Sequence, residues 1–298
     1  MGKMHTYKAF GLVFKSEFEI TEFLSSAGGP DVEIVLGKTP ERLSQVKKQG
    51  VKYQASKDEF LLTVDRIARY YVVNGNKITV QLFKDKPDKE VRLFLLGSAF
   101  GALFVQRGLL PIHGSAIRFG NTATIFTGLS GVGKSTIAAH FVHEGFQALA
   151  DDISVINQEL KVLPGFPSLK IWDDVLKKLN VHNKLLNQIR PNIQKFQLPV
   201  SDNYCTQPLA LKSVILLNVK NTPGFEIEEL TGIKKFNVVK NNTYRYRFVQ
   251  GLDQQQEHFQ ILNKLLPQIN VYKVSRPQTP LAIKEFGDFL LNNIKING

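Results

Sequence analysis

The residues from Gly128 to Thr136 carry the clearest chemical signature in the sequence. They match the phosphate-binding pattern G-x-x-x-x-G-K-[ST] at every fixed position. Such a loop wraps a polyphosphate with backbone N–H groups, so side chains at Gly128 and Gly133 would collide with the phosphates. Lys134 supplies positive charge to the β- and γ-phosphates, and the Ser135 hydroxyl is a ligand for Mg²⁺. The predicted nucleotide-binding residues are Gly128, Ser130, Gly131, Val132, Gly133, Lys134, Ser135 and Thr136.

The segments on either side of this loop follow the order that such loops require. Residues 123–127 form a β-branched and aromatic run typical of a strand, and residues 136–142 have apolar side chains at helical spacing. A helix that begins at the loop directs the positive end of its dipole at the bound anion. The alternative, a glycine-rich surface turn that happens to carry a lysine, predicts neither flanking element.

A pair of carboxylates follows one helix further along the chain. Asp151 and Asp152 interrupt an apolar run that starts at Gly145 and continues beyond them. Folds with a phosphate-binding loop place a metal-binding acid and a group facing the attacking nucleophile at this point. The alternative is a solvated strand end, which the apolar residues on both sides disfavour because they predict burial.

Further residues are candidates for the same site. For His113, which lies among small residues just before the strand that feeds the loop, a catalytic role and a hydrogen-bonded core position are both open. Lys170, Arg245 and Arg276 are candidate cations for the site, with Arg245 favoured for its Asn-Thr-Tyr setting, although each taken singly is more typical of a surface charge. Trp172 is expected to pack in the core, with a substrate contact as the alternative.

The chain, at 298 residues, is longer than one average domain. We predict a β-rich N-terminal domain over residues 1–87, a bridging helix over 88–107 and a catalytic domain over 108–298. Asn74-Gly75 marks a hairpin turn in the first part, because this dipeptide readily adopts positive φ angles. Expected strands are 9–14, 32–36, 59–64, 211–219 and 235–239, and expected helices are 173–179, 254–266 and 281–294.

The composition is that of an ordinary soluble protein, with 43% hydrophobic and 21% charged residues. A single cysteine, Cys205, excludes an internal disulfide and a multi-cysteine zinc site. The N-terminus lacks an apolar core of signal-peptide length, and no run of about 18 apolar residues is present, so we expect a cytoplasmic protein without a membrane partner. The net charge of +12 is spread along the chain without an aromatic-interleaved basic motif, which favours a solvated basic face over a nucleic-acid partner.

Three motifs together resemble the catalytic domain of HPr kinase/phosphorylase, a bacterial serine kinase whose fold is related to that of ATP-dependent phosphoenolpyruvate carboxykinase. They are His113-Gly114-Ser115-Ala116, the loop from Gly128 to Thr136, and Ala150-Asp151-Asp152. The resemblance covers residues 108–298. Segments 163–172, 242–245 and 271–277 are more similar to shorter HPr-kinase-like proteins, some of which phosphorylate ribosomally made peptides such as lasso-peptide precursors at serine.

The resemblance implies an α/β kinase domain with a phosphate-binding loop, preceded by a small β-rich domain. It also implies that ATP is the nucleotide substrate, that Ser135 and one aspartate bind Mg²⁺, and that the other aspartate is the base facing a serine hydroxyl. His113 would lie beside that pair. A glycine- and arginine-rich signature that follows the acidic strand in HPr kinase is replaced here by Pro164–Trp172. HPr kinases associate into oligomers, so a homo-oligomer is a further expectation.

The hypothesis from the sequence is an ATP- and Mg²⁺-dependent kinase acting on serine in a peptide, a small protein or a metabolite, with a peptide precursor favoured. Asp152 would orient or deprotonate the hydroxyl, Asp151 and Ser135 would hold Mg²⁺, and Lys134 would stabilise the transferring phosphate. The reverse assignment of the two aspartates stays open. So do a nucleotide-switched binding or assembly protein, and a carboxykinase-like transfer to a small organic acid.

Overall fold

The computed structural model describes residues 3–179, 181–183, 186–190, 193–221, 223–278 and 282–294. The contacts within the chain divide it into two compact units. One comprises Met1–Pro111 and Tyr244–Ile261, and the other comprises Ile112–Thr243 and Leu262–Gly298. The chain therefore leaves the first unit once and returns to it for a short segment before it ends in the second.

The described part of the chain begins with nine strands, and helices and further strands follow them. The strands are β1 (His5–Ala9), β2 (Leu12–Ser16), β3 (Leu24–Ser25), β4 (Val32–Leu36), β5 (Lys48–Gln49), β6 (Tyr53–Ala55), β7 (Glu59–Val64), β8 (Ala68–Val73), β9 (Lys77–Leu82), β10 (Leu110–Ile112), β11 (Gly114–Phe119), β12 (Thr122–Thr127), β13 (Gln147–Ala150), β14 (Ser154–Ile156), β15 (Lys161–Leu163), β16 (Ser168–Trp172), β17 (Asn187–Arg190), β18 (Ile193–Pro199), β19 (Leu209–Lys220), β20 (Glu226–Glu229) and β21 (Asn270–Pro277). The α-helices are α1 (Lys89–Phe94), α2 (Phe100–Gln106), α3 (Lys134–His143), α4 (Asp173–Lys178), α5 (Gly232–Asn241), α6 (Arg247–Gly251), α7 (Gln255–Leu265) and α8 (Ile283–Asn293). A π-helical turn, Leu95–Ala99, joins α1 to α2, and short 3₁₀ turns occupy Ser201–Asn203 and Leu266–Gln268.

The first unit contains a nine-stranded sheet with the order β3-β1-β2-β4-β9-β8-β7-β6-β5. The predicted hairpin is confirmed, because β8 and β9 pair antiparallel and Asn74 and Gly75 have φ angles of 53° and 65°. The predicted strand over 9–14 is wrong. Phe10, with φ of 51°, begins a turn that splits this run into β1 and β2.

The helical stretch that we predicted as a bridge packs against the sheet of the first unit. Asp88 accepts hydrogen bonds from the first-turn N–H groups and so caps α1. The Tyr70 hydroxyl on β8 donates to the Val91 carbonyl at 2.8 Å, and the ring of Phe100 stacks on Phe14 with centroids 4.9 Å apart. This helical stretch therefore belongs to the first compact unit, and the domain boundaries at 87 and 107 stay a prediction.

The second unit is a mixed α/β structure. Strands β12, β19 and β21 run parallel at its centre, and β11, β15 and β20 pair antiparallel to them. Helices were correctly predicted at 173–179, 254–266 and 281–294, whereas the predicted strand at 235–239 is wrong because these residues belong to α5. No helix in the described ranges is both long and apolar enough to cross a membrane.

The topology of this sheet brings distant segments of sequence to one edge. Strand β11 lies between β12 and β13 and pairs antiparallel with both, so β12 and β13 point the same way and end at the same edge. The phosphate-binding loop follows β12, the two aspartates follow β13, and His113 precedes β11. These three segments therefore meet where the carboxyl ends of strands commonly hold ligands.

Candidate active site

The phosphate-binding loop joins the end of β12 to the start of α3. Gly128 has φ of 137°, and a Cβ atom on it would lie 2.6 Å from the carbonyl oxygen of Leu217. Gly133 caps α3 with φ of 110°, a left-handed conformation that side chains strongly disfavour. Both fixed glycines of the pattern are therefore required by the backbone as well as by the space that a phosphate needs.

Lys134 lies within the loop rather than extending into solvent. Its ammonium donates to the carbonyl oxygens of Gly128 at 2.9 Å and Leu129 at 3.0 Å. Burial lowers the pKa of Lys134, although the nearby carboxylates Asp151 and Asp152 act in the opposite direction. The positive charge is thus held in a partly desolvated position, where it acts strongly on any anion that enters the loop.

Asp151 connects three segments through one carboxylate. Its Oδ1 accepts from the hydroxyls of Ser115 at 2.6 Å and Ser135 at 2.9 Å, and its Oδ2 accepts from the backbone N–H of Lys170 at 2.7 Å. Asp151 is 6% exposed. Ser135 and Asp151, the residues predicted to bind Mg²⁺, are therefore in direct contact.

Asp152 has φ of 70°, a left-handed backbone conformation that turns its side chain away from that of its neighbour. Its Oδ2 accepts from the Lys170 ammonium at 2.7 Å, and its Oδ1 lies 3.6 Å from Nδ1 of His113. Burial acts to raise the pKa of Asp152, but the charge and hydrogen bond of Lys170, together with the charge of Lys195, outweigh burial and lower the pKa. The carboxylate is therefore ionised at neutral pH.

His113 is oriented by two contacts with the chain around it. Its Nδ1 lies 2.9 Å from the backbone carbonyl oxygen of Asp152, and its own carbonyl accepts from the Thr127 hydroxyl at 2.7 Å. Burial and the charge of Lys134 lower the pKa of His113, so the neutral ring is favoured. Because a carbonyl oxygen only accepts, the ring proton is assigned to Nδ1, and Nε2 is then an acceptor.

These groups line one pocket of about 100 Å³ within the second unit. The pocket brings together ten of the residues that the sequence predicted for the site. They are His113, Ser130, Gly131, Gly133, Lys134, Ser135, Thr136, Asp151, Asp152 and Lys170. Gly128 lies under the loop against Leu217. The Val132 side chain packs in the core, and its carbonyl oxygen lies 3.4 Å from the Arg276 guanidinium.

Arg245 belongs to the first unit and so lies outside the unit that forms the pocket. Its guanidinium carbon is 5.5 Å from the ring centroid of Tyr244 and 5.9 Å from that of Phe248. Its φ angle of 50° places it in the left-handed region. A substrate-binding role for Arg245 stays a prediction.

Three residues of the site were missed by sequence reasoning. Ser115 bonds Asp151, and Lys195 and Trp172 line the pocket beside Lys170. Trp172 was expected in the core, but it is 44% exposed. It follows Lys170 by two residues on β16, so the two side chains lie on the same face of the strand. The only sequence signal for Ser115 was its place in the His113–Ala116 motif, and Lys195 had none.

The oxygen atoms of Ser135 and Asp151 fit a magnesium ion. Mg²⁺ prefers oxygen ligands and is usually held by one or two protein groups, with water and phosphate oxygens completing its shell. Within the described ranges no cluster of three or more His, Cys, Asp or Glu forms a metal cage. A hydroxyl and a carboxylate oxygen 2.9 Å apart beside the phosphate-binding loop nevertheless supply the pair of protein ligands that Mg²⁺ commonly uses.

Comparisons with known proteins give a distant likeness among solved structures. No protein-family model matches the chain, and no curated protein matches it. Among solved structures, the HPr(Ser) kinase/phosphatase from Coxiella burnetii aligns with 61% of this chain and 88% of its own, at 13% identity and a TM-score of 0.31. Similarity at that level carries no inference about fold or activity.

Proposed function

We propose that this chain is an ATP- and Mg²⁺-dependent kinase that transfers the γ-phosphoryl group to a serine hydroxyl of a peptide, a small protein or a serine-bearing metabolite. The observation that carries the proposal is the convergence of the loop lysine, Lys134, and two aspartates in different environments on one pocket. Asp151 bonds the loop serine, whereas Asp152 bonds a lysine and faces the pocket separately. Phosphoryl transfer needs this division, with one acid at the metal and one at the acceptor.

The nucleotide side of the pocket would be held by the loop. Backbone N–H groups of residues 130–135 and the ammonium of Lys134 bind the β- and γ-phosphates. Ser135 and Asp151 would hold Mg²⁺, which would supply positive charge against the phosphate oxygens. The carbonyl contacts of Lys134 place its ammonium at the loop interior, so only a local movement brings it to a phosphate.

The acceptor side would be governed by Asp152. Its ionised carboxylate accepts the hydrogen bond of the acceptor hydroxyl and orients the oxygen toward the γ-phosphorus. The oxygen–phosphorus bond forms as the bond to the leaving ADP oxygen breaks, and the hydroxyl proton passes to Asp152. Because its pKa is lowered, Asp152 is a weak base that takes the proton late in the reaction. Neutral His113 fixes the backbone of Asp152 through its Nδ1 contact.

Mass spectrometry tests this proposal directly. The protein is incubated with Mg-ATP and peptides, HPr or free serine, and a gain of one phosphate on serine is measured for wild type, Lys134→Ala and Asp152→Asn. Asp174→Asn is the matched control, since Asp174 is a carboxylate of α4 in the same unit and does not line the pocket. We expect Lys134→Ala to lose nucleotide binding, and Asp152→Asn to keep binding but lose transfer by at least about 100-fold.

A nucleotide-switched binding protein would give a different pattern in the same experiment. It would bind ATP, require Lys134 and tolerate Asp152→Asn without any change in its partner interaction. Retained transfer in Asp152→Asn would contradict the role given to that residue, and tight ATP binding without transfer to any acceptor would favour the switch.

A further inference from the structure

The three-stranded sheet β16-β18-β17 turns one face to the core and the other to the pocket. Strand β16 pairs antiparallel with β18, and Trp172 lies directly opposite Lys195. Leu169 and Ile171 on the alternate side of β16 are buried in the core. Lys170, Trp172 and Lys195 therefore share the opposite face of the sheet, and all three line the pocket together with Ile171.

The three lysines of the pocket differ in what their ammonium groups contact. Lys134 donates to loop carbonyls, and Lys170 is paired with Asp152. The Lys195 ammonium lies 5.7 Å from the ring centroid of Trp172, and within the described residues it forms no ion pair with a carboxylate. Its charge still reaches the site, since it contributes to lowering the pKa of both Asp152 and Lys134. Lys195 is thus the pocket cation that is available to an incoming anion.

The strand geometry places this cation on the acceptor side. Lys170 and Asp152 mark the point where the acceptor hydroxyl would lie, and Trp172 follows Lys170 by two residues along β16. Two residues of a strand span roughly 7 Å, so the Trp172–Lys195 pair begins about two residues of an extended peptide beyond the reacting hydroxyl. The exposed indole of Trp172 offers little attraction to a bare phosphate, but it packs well against the carbon atoms of a peptide or a comparable acceptor.

We infer that Lys195 and Trp172 form an acceptor subsite that selects a negatively charged group about two residues away from the serine hydroxyl. This inference rests on the proposed kinase function and deepens it. Lys195 binds the anionic group, and the indole of Trp172 packs against the carbon chain that connects that group to the hydroxyl. Asp151 already accepts a hydrogen bond from Ser135, and Asp152 is paired with Lys170. The electrostatic potential near Lys195 therefore favours an anionic acceptor.

The test compares matched acceptors in wild type and charge variants of Lys195. Peptides in which the second residue after serine is glutamate, glutamine or lysine measure the preference. We expect wild type to favour the acidic member by roughly tenfold in kcat/KM, the ratio to fall toward one in Lys195→Gln, and Lys195→Glu to favour the lysine peptide. Lys178→Gln, at an exposed position of α4 outside the pocket, should keep the wild-type ratio.

A binding measurement separates failure of this inference from failure of the kinase proposal. Trp172 is the only tryptophan of the chain, so its fluorescence reports directly on the subsite. Titration with the glutamate and glutamine peptides should show tighter binding of the acidic peptide, and Lys195→Gln should abolish that difference. If no phosphate is transferred but the acidic peptide still binds more tightly, the result supports the subsite and contradicts the kinase proposal. An acidic preference that persists in Lys195→Gln, or none in wild type, overturns the inference.

Discussion

The ammonium of Lys170 lies 2.7 Å from Oδ2 of Asp152, while the backbone N–H of the same lysine donates to Asp151. One residue thus bonds both carboxylates through different groups. Lys170→Met removes only the side-chain bond and leaves Asp152 without the partner that orients it. We expect phosphoryl transfer in single-turnover measurements to fall by about 100-fold, with nucleotide affinity nearly unchanged.

Two further variants control this prediction. Lys170→Arg keeps the positive charge and should retain more transfer than Lys170→Met, although the larger guanidinium fits the bond less well. Lys178→Met removes an exposed lysine outside the pocket and should leave transfer unchanged. Equal transfer by wild type and Lys170→Met would show that Asp152 needs no orientation by this lysine.

Gly128→Ala should disrupt the loop. The added methyl would meet the Leu217 carbonyl oxygen at 2.6 Å, and this backbone atom belongs to the central strand β19 and cannot easily move. The φ angle of 137° adds strain of about 1–3 kcal/mol. We expect nucleotide affinity, measured by titration calorimetry, to fall by at least tenfold together with the unfolding temperature.

Gly145→Ala is the matched control for this substitution. Gly145 also has a positive φ, 90°, but an added methyl would meet no atom within 4 Å, and the residue is outside the loop. The substitution therefore introduces backbone strain without the collision, and it should lower stability while leaving nucleotide affinity intact. Similar losses of affinity in both variants would assign the effect of Gly128→Ala to general destabilisation.

The strand and helix that flank the predicted phosphate-binding loop were predicted correctly because the information is local. The loop and the pair Asp151 and Asp152 are likewise contiguous patterns, and their chemical roles stay predictions. The hairpin at Asn74 is local in the same way. The failures at 9–14 and 235–239 are also local in origin. Phe10 is an apolar residue in a turn conformation that the pattern does not mark, and β-branched valines at 238–239 imitate a strand inside α5.

The remaining site residues depend on sheet register, which no local pattern contains. Ser115 reaches Asp151 because β11 pairs with β13, and Lys195 reaches the pocket because β18 pairs with β16 opposite Trp172. Segments distant in sequence are joined in both cases. A register shift of one residue would turn Lys195 to the core face, so its role follows from pairing that only the structure gives.

The hydroxyls of Thr124 and Ser213 form a buried polar pair in the central sheet. The two residues are register partners on β12 and β19, and neither hydroxyl has a hydrogen-bond partner among the described residues. Because a buried hydroxyl without a partner costs free energy, Thr124→Val should leave the free energy of unfolding unchanged or raise it by up to about 1 kcal/mol. Denaturant unfolding with matched slopes measures the change.

Thr127→Val provides the contrasting case on the same strand. The Thr127 hydroxyl donates to the His113 carbonyl at 2.7 Å, so its loss should lower the free energy of unfolding by about 1 kcal/mol. It should also lower phosphoryl transfer, since His113 is displaced. A loss in Thr124→Val as large as that in Thr127→Val would show that the Thr124 hydroxyl is hydrogen-bonded in solution.

Asp88 should make the stability of the first helix dependent on pH. It caps α1 by accepting from the N–H groups of Glu90 and Val91, and its Oδ2 accepts from the Lys84 ammonium at 2.7 Å. Burial acts to raise the pKa of Asp88, but these hydrogen bonds outweigh burial and lower it. A lowered pKa in the folded state means that the stabilisation is present above the ordinary carboxyl pKa and is lost as the pH falls through the folded value.

Two substitutions separate the cap from the charge. Asp88→Ala removes both and should cost about 1 kcal/mol of local stability at neutral pH, measured by hydrogen exchange of the amides in α1. Asp88→Asn keeps a capping oxygen but not the charge, so it should be less stable than wild type at pH 7, and the difference should shrink as the pH falls below the ordinary carboxyl pKa and through the lowered folded value. A difference between wild type and Asp88→Asn that stays constant from pH 7 to pH 3 would contradict this account, because an effect of the carboxylate charge must disappear when that charge is removed.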